Sequence, residues 1–545
     1  MSARNKDDGD GMADRQMFLE KAARSIAELQ PKIATLAETV VFLEVLGYTN
    51  KMASDHGFQD LADLARHVLQ YTGLYDTNFG STTKRLLPVP NMGRRTAEAF
   101  GVAYPWAISY VVLLVFGVSL WLARILPLDL TTSFVVGIYS GLLISGGMGS
   151  FGRLFSFYDS QLNFSEVRRL LKRFYSLLAV ILIAASLGLY AVGSLWGVPS
   201  AVVAISIVSS VTLSAHMASY MIIYNKRRFQ VVVYSYSAAL VALLSVYFLG
   251  ASVVPDVVSR YFYALGTAVL VLSIPAVYFH YLIFRTSSIV KKKGDEPSFY
   301  SPASAIKNTL KSNFGIQMWE ILPYFVYGVL FFCLLFGDRL ISWIYNPVHV
   351  INGVSYFLVF NTPYHLGADS ALMALFPSLI IQYAMLSSLH SEINNISLAS
   401  RISDADRISR FLASRYKNMM AITIAATAAT AAAMMIFEPS VLTALSGSSV
   451  SSFVFDVALI ANVFMAIFAG NALFLTFMNK IKAVCLIGIA AAGFLLAFGL
   501  YIGMDGFQYI VYAYLGETIL LAVLSTAVLL KYLGKITSIF FSRYV

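Results

Sequence analysis

Twelve separate apolar runs, each close to the length of a membrane-spanning helix, constrain this 545-residue chain more than any other feature. A helix needs about 20 apolar residues to cross a hydrocarbon core of about 30 Å. Windows of that length fall on residues 105–122, 133–152, 174–195, 200–224, 231–250, 261–284, 319–336, 366–389, 419–437, 454–478, 483–502 and 509–530. Because 58% of the residues are hydrophobic and only 12% are charged, a soluble fold is excluded. We predict an all-α integral membrane protein with about twelve transmembrane helices.

The distribution of Lys and Arg predicts how the spans are oriented, because cytoplasmic loops carry the excess of these residues. Of the 39 basic residues, 24 lie in loops on one side, three lie on the other side and 12 precede the first span. This asymmetry predicts a multi-pass protein of the cytoplasmic (inner) membrane with both termini in the cytoplasm. The formal charge of +10 therefore reflects the Lys and Arg residues that orient the spans in the membrane. We predict no nucleic-acid partner, and we expect basic clusters such as Lys291, Lys292 and Lys293 to attract anionic lipid of the bilayer.

The spans and the polar segments divide the chain into four parts. Residues 1–100 contain no membrane-length apolar run but show helical periodicity, so we predict a cytosolic helical region that ends in a linker. The first six spans form one lobe (101–284), a basic cytoplasmic linker follows (285–318), and the last six spans with a short tail form the second lobe (319–545). Two alternatives are open for the N-terminal helices. They dock on the membrane domain or a partner protein, or they form a small self-contained unit.

The sequence contains no motif that supports an enzyme or a nucleotide-driven pump. The chain has no GxxxxGK[ST] loop and no soluble region large enough for an ATPase domain. Its two cysteines, Cys333 and Cys485, lie in apolar runs without the spacing of metal ligands. We therefore predict that the protein is not an enzyme, has no catalytic residues and needs neither a metal nor another cofactor.

A group of glycines at the second predicted span matches a dinucleotide-binding pattern in spacing alone. Gly147, Gly149 and Gly152 fit GxGxxG, but they end an apolar span, and the strand that must precede that motif is missing. Together with Gly137 and Gly141 they are typical of helices that pack closely in membranes. We predict that these glycines let a neighbouring helix approach.

Ionisable residues inside or at the margins of the spans are the remaining functional signal, because a charge at the bilayer centre is costly unless it is paired or faces a cavity. Six are candidates for a substrate cavity or for ion coupling: Asp369, Glu517, Glu320, Arg260, Arg339 and Asp338. For Asp369 and Glu517 two roles are open. One is a cavity role, in proton coupling or hydrogen bonding to a sugar, and the other is a polar contact between helices. The marginal pairs, Asp256 with Arg260 and Asp338 with Arg339, fit interfacial salt bridges.

The signs of these charges lead to a prediction about the substrate. A flippase for a pyrophosphate-linked oligosaccharide must hold an anion at membrane depth, which calls for Lys or Arg in its cavity. Here the deepest groups are the acids Asp369 and Glu517, whereas Arg260 and Arg339 lie at the predicted margins beside acids. We therefore expect a substrate that is neutral or cationic where it crosses. We also expect neutralisation of the acids to impair export more than neutralisation of the arginines.

Several segments of the second half resemble one family of membrane proteins. They are ILPYFVYGVLFFCLLFGDRLISWIY (321–345), FNTPYHLGADSALMALFPSLIIQYAML (360–386), the acidic Glu392 just beyond it, and TFMNKIKAVCL (476–486). In their order and spacing across residues 101–532, the chain resembles the Pel exopolysaccharide transporter (PelG) family, within the multidrug/oligosaccharidyl-lipid/polysaccharide (MOP) flippase superfamily. The first half matches less well. The segment of about a hundred residues before the first span also departs from that family, whose members begin near their first span.

The resemblance implies a twelve-helix, two-lobed fold that exports polysaccharide across the inner membrane, beside a cytosolic glycosyltransferase and small membrane subunits. The leading hypothesis is a flippase that moves an exopolysaccharide or a lipid-linked oligosaccharide by alternating access and without ATP. Two alternatives stay open: a multidrug or cation antiporter of the same superfamily, and a non-transporting membrane scaffold for a polysaccharide synthase. The resemblance supplies no site residues, so the six candidates depend on the charge argument.

Overall fold

The computed structural model describes residues 7–29, 36–75, 92–116, 126–160, 164–226, 228–293, 314–387, 389, 392, 405–445 and 448–534. Its backbone contacts divide the chain into two compact units. One unit combines Met1–Asn91, Met385–Asn418 and Leu530–Val545, and the other combines Met92–Ala384 with Met419–Leu529. Most of the predicted basic linker, residues 294–313, lies outside the described residues.

The N-terminal helices of the first unit pack on one another. They are α1 (Asp7–Leu29), α2 (Leu36–Val45), α3 (Asn50–Asp55) and α4 (Leu61–Tyr75). Their shared core consists of fully or nearly fully buried apolar side chains, among them Ile26, Leu43, Phe58, Leu64 and Val68. A core contributed by several helices buries the apolar faces that none of them could bury alone. The four helices therefore bury part of their apolar surface against one another.

The remaining helices of the described chain lie wholly or partly in the second unit. They are α5 (Met92–Phe116), α6 (Leu128–Met148), α7 (Phe151–Ser160), α8 (Phe164–Leu195), α9 (Ser200–Asn225), α10 (Phe229–Leu249), α11 (Val257–Lys293), α12 (Phe314–Ile344), α13 (Thr362–Ala371), α14 (Phe376–Leu386), α15 (Ala405–Leu445), α16 (Ser449–Phe477), α17 (Ile481–Gly503) and α18 (Ile510–Leu533). Within the described residues, eleven stretches qualify as spans. They match the second to twelfth predicted spans, and the prediction of an all-α membrane fold is confirmed. Helix α5 contains the start of the first predicted span, whose residues 117–122 lie outside the described part.

Helix α12 is longer than the predicted seventh span. The apolar window ended at 336 because Asp338 and Arg339 lower the local hydropathy, whereas the helix continues to Ile344. A short hairpin follows, in which Val350–Ile351 pairs with Val354–Ser355. Its two turn residues, Asn352 and Gly353, have positive φ angles of 53° and 79°, as a tight two-residue hairpin turn requires. The next helix begins at Thr362. Asn361 caps its N-terminus, because the Asn361 side chain accepts a hydrogen bond from the Tyr364 N–H at 3.2 Å.

Glycines on α6 allow two neighbouring helices to approach closely, as predicted. A Cβ at Gly137 would overlap the Ser206 carbonyl of α9, and one at Gly147 would lie 2.7 Å from the Phe325 ring of α12. The closest approach is between Gly146 and Gly328, because a Cβ at either residue would overlap the backbone of the other. Helix α6 is therefore held between α9 and α12 by direct backbone contact.

This contact predicts a large loss of stability when Gly328 is replaced by Val. The new side chain must displace the α6 backbone, so we expect a loss of about 3 kcal/mol or more in the free energy of unfolding. Thermal unfolding of the purified protein in detergent measures it. The matched control is Gly266→Val, because a Cβ at Gly266 in α11 has no atom within 4 Å. Equal melting temperatures for the two variants would contradict the proposed packing.

Candidate functional site

A fully buried arginine and two carboxylates form the centre of the candidate site, on helices α12 and α13. Arg339 and Asp338 lie on α12 with no exposed side-chain surface, and Asp369 lies on α13 with 18% of its side chain exposed. The Arg339 Nε donates to Asp369 Oδ1 at 2.7 Å, and its Nη1 donates to Asp338 Oδ1 at 2.9 Å. One guanidinium thus neutralises one of two neighbouring carboxylates. A buried ion pair offsets the cost of its desolvation only with such well-aligned hydrogen bonds.

A second set of hydrogen bonds orients the two carboxylates. The Tyr364 hydroxyl donates to Asp338 Oδ2 at 2.8 Å, and His365 Nδ1 lies 3.1 Å from Asp369 Oδ2. The Trp343 indole N–H is 2.8 Å from His365 Nε2. Because an indole nitrogen can only donate, His365 Nε2 accepts, and the proton of the neutral imidazole is on Nδ1. His365 therefore donates to Asp369 and connects it to Trp343.

Glu517 on α18 is the one predicted candidate that is fully buried without a hydrogen bond. Its side chain is 0% exposed, and neither carboxyl oxygen has a hydrogen-bond partner among the described residues. An ionised carboxylate without a partner is very unfavourable in a buried site. This environment favours the protonated form of Glu517.

Polar side chains tie the helix that carries Glu517 to its neighbours. Tyr514, one turn before Glu517, donates its hydroxyl hydrogen to Asn462 Oδ1 of α16 at 2.9 Å. The Asn462 amide in turn donates to the Ala371 carbonyl at the end of α13, at 2.8 Å. The hydrogen-bonded path therefore connects α18, α16 and α13.

Aromatic rings cover the part of the cluster that lies next to α6. Tyr139 of α6 stacks on Phe336 and Trp343, with ring centroids 5.0 Å and 5.7 Å apart. Phe360 stacks on His365 at 4.2 Å, and its backbone N–H donates to Thr132 Oγ1 of α6 at 3.0 Å. The charged network thus ends in aromatic side chains that contact α6 directly.

The other predicted site residues are not part of this cluster. Glu320 is exposed near the start of α12, 18 residues before Asp338 and therefore about 27 Å away along the helix. Arg260 rests over the Tyr247 ring at 5.1 Å. Asp256 instead caps α11, because its Oδ2 accepts from the Ser259 N–H at 2.8 Å. The hydrogen bonds from Ser259 lower the pKa of Asp256.

Arg339 lies inside α12, beyond residue 336 where the predicted seventh span ended, and its side chain is fully buried within the protein. It pairs with Asp369, 30 positions further along the chain. The network also includes Tyr364, His365 and Trp343, which were not among the predicted candidates. The i, i+4 spacing of His365 and Asp369 was the one local signal for part of this network, because it places both on one helix face.

These features define an all-α, polytopic membrane protein with a buried ionisable network between its later helices. Three solved structures share the fold. The MATE transporter ClbM in complex with Rb⁺ is 13% identical over 80% of this chain and 94% of its own, with a TM-score of 0.50. A MOP superfamily transporter from Pyrococcus furiosus, whose pocket is described as having reversed polarity, is 13% identical over 81% and 96%, with a TM-score of 0.52.

The third structure is an outward-facing multidrug resistance transporter of the MATE family and MOP superfamily. It is 13% identical over 84% of this chain and 100% of its own, with a TM-score of 0.53. At this identity the likeness establishes a shared fold. No protein-family model and no curated protein sequence matches the chain. The assignment to the PelG family therefore remains a proposal.

Proposed function

We propose that this protein exports an exopolysaccharide or a lipid-linked oligosaccharide across the inner membrane by alternating access, without ATP. The observation that carries the proposal of transport is the fold, which matches solved MATE and MOP transporters over 80% or more of the chain. The sugar substrate is supported by the resemblance of segments 321–345 and 360–386 to PelG proteins. The 24 basic residues on one side support cytoplasmic termini, where the N-terminal helices could meet a glycosyltransferase.

The buried network supports a mechanism coupled to a proton or another cation. Asp338, Asp369 and Glu517 can hold up to three negative charges, and Arg339 supplies one positive charge. A cation that binds here relieves that excess, and its release restores repulsion between the carboxylates. The Rb⁺ complex of ClbM, which has the same fold, is in keeping with such coupling.

The same network favours a substrate that is neutral or cationic at this depth. The guanidinium of Arg339 already faces two carboxylates, so the cluster presents no net positive charge to a pyrophosphate group. To bind an anion at membrane depth, the cluster would need an Arg or Lys that is not already paired with a carboxylate. A polymer that contains amino sugars fits these charges.

Transport by purified protein in vesicles tests the proposal. The vesicles carry an imposed proton gradient, and three fluorescent substrates are compared: an amino-sugar oligomer, a pyrophosphate-linked oligosaccharide on a lipid, and a cationic dye. We expect gradient-dependent movement of the amino-sugar oligomer above the level of protein-free vesicles. Movement of the dye alone would favour the multidrug or cation antiporter. Movement of none of the three by correctly folded protein would favour the scaffold.

A further inference from the structure

A cavity in the first group of six helices has the chemistry of a site for an anionic amphiphile. Its volume is about 330 Å³. Its charged lining residues are Asp159 near the end of α7, Lys226 just after α9 and Arg228 just before α10. Its apolar lining residues are Val167 of α8 and Phe279, Leu282 and Ile283 of α11. The cavity is separate from the Arg339 cluster, which involves α12, α13, α16 and α18.

The described lining of this cavity contains two basic residues and one acidic residue. Lys226 Nζ pairs with Asp159 Oδ1 at 2.5 Å, and both side chains are more than two-thirds buried. Arg228 is exposed, and its guanidinium has no hydrogen bond or ion pair among the described residues. The described lining residues therefore carry one net positive charge. A free guanidinium binds phosphate through two parallel N–H donors, which an ammonium group cannot reproduce.

The apolar wall indicates that the anion is carried by a lipid. On α11, next to the cavity, Val277, Tyr278 and Tyr281 are between 55% and 68% exposed, as expected of a helix face in contact with acyl chains. A phospholipid could place its head group beside Arg228 and its chains along this face. Basic pockets between helices on the side of the membrane that holds the excess of Lys and Arg bind anionic head groups in this way.

We propose that this cavity binds the phosphate head group of an anionic phospholipid, with Arg228 as its main ligand and Lys226 as a second ligand shared with Asp159. The bound lipid bridges the end of α7, residues 279–283 of α11, and the two basic residues Lys226 and Arg228. It stabilises the first group of helices at that end. The site is independent of the transported substrate.

Binding of phosphatidylglycerol to the full-length protein in neutral detergent tests this site, with phosphatidylcholine and inorganic phosphate as comparison probes. We expect phosphatidylglycerol to bind and to raise the melting temperature, and Arg228→Gln to weaken its affinity at least about tenfold. Arg228→Lys should lose part of the affinity, because the charge remains but the paired donors do not. Asp159→Asn should increase the affinity, because it frees Lys226.

Lys482→Gln is the matched control. Lys482 is an exposed basic residue at the start of α17, outside the cavity, so its loss should leave lipid binding unchanged. The opposite signs expected for Arg228→Gln and Asp159→Asn distinguish a site from general damage to the fold. Equal binding of phosphatidylcholine would overturn the proposal, as would equal losses from Arg228→Gln and Lys482→Gln. If inorganic phosphate displaces phosphatidylglycerol and raises the melting temperature equally, the site binds free phosphate and the lipid assignment is wrong.

Discussion

Replacing Arg339 with Gln is expected to lower the free energy of unfolding by about 3–5 kcal/mol, the typical cost of removing one partner from a buried ion pair. Glutamine keeps some hydrogen-bonding capacity but leaves Asp338 and Asp369 together without a cation. Asp338 is completely buried, so water cannot compensate for the lost charge. The measurement is chemical or thermal unfolding of the purified variant in detergent.

The control for this prediction neutralises all three groups at once. Arg339→Gln combined with Asp338→Asn and Asp369→Asn keeps the shapes of the two acidic side chains and leaves no uncompensated charge. We expect most of the lost stability to return in this triple variant, because neutral replacements of a buried ionic group are often tolerated. If Arg339→Gln alone is as stable as the unchanged protein, the two carboxylates do not depend on the guanidinium.

This result would reverse the expectation that followed from the sequence alone, in which the arginines mattered less than the acids. A hydropathy window treats Asp338 and Arg339 as the end of a span because it adds residue costs independently. In the folded chain the two charges neutralise each other and a third group, Asp369, joins them. The cost of burial then depends on the pairing, which a window cannot represent.

The features that the sequence predicted well depend on local patterns. The apolar runs predicted the spans because a bilayer sets the length of a helix wherever it lies in the chain. The glycines of α6 predicted close packing, although not that Gly146 would meet Gly328. The Arg339–Asp369 pair and the contact of Tyr139 with Trp343 join distant parts of the chain. No spacing rule within one helix could have revealed these contacts.

The second large effect is expected at Glu517, where function and stability should separate. Glu517→Gln keeps the shape and the neutral state that the buried, unpartnered carboxyl favours, so the melting temperature should change little. The variant cannot bind or release a proton, however. We therefore expect gradient-driven export in vesicles to fall to the level of protein-free vesicles, while substrate exchange without a gradient continues. Asp369→Asn provides the comparison.

Asp369→Asn removes the charge-assisted bond to Arg339, so it should lower both stability and export, with a loss of about 1.5–3 kcal/mol. Proton uptake that accompanies export, followed with a pH-sensitive dye inside the vesicles, should vanish in Glu517→Gln.

If Glu517→Gln exports normally against the same gradient, Glu517 is a structural polar group and coupling lies elsewhere. A different result would point to an anionic substrate: both acid variants export normally, whereas Arg339→Gln protein is folded but exports nothing. In that case the guanidinium binds an anion. A lipid-linked pyrophosphate substrate would then explain the cluster better than proton coupling, because only the positive charge would be essential.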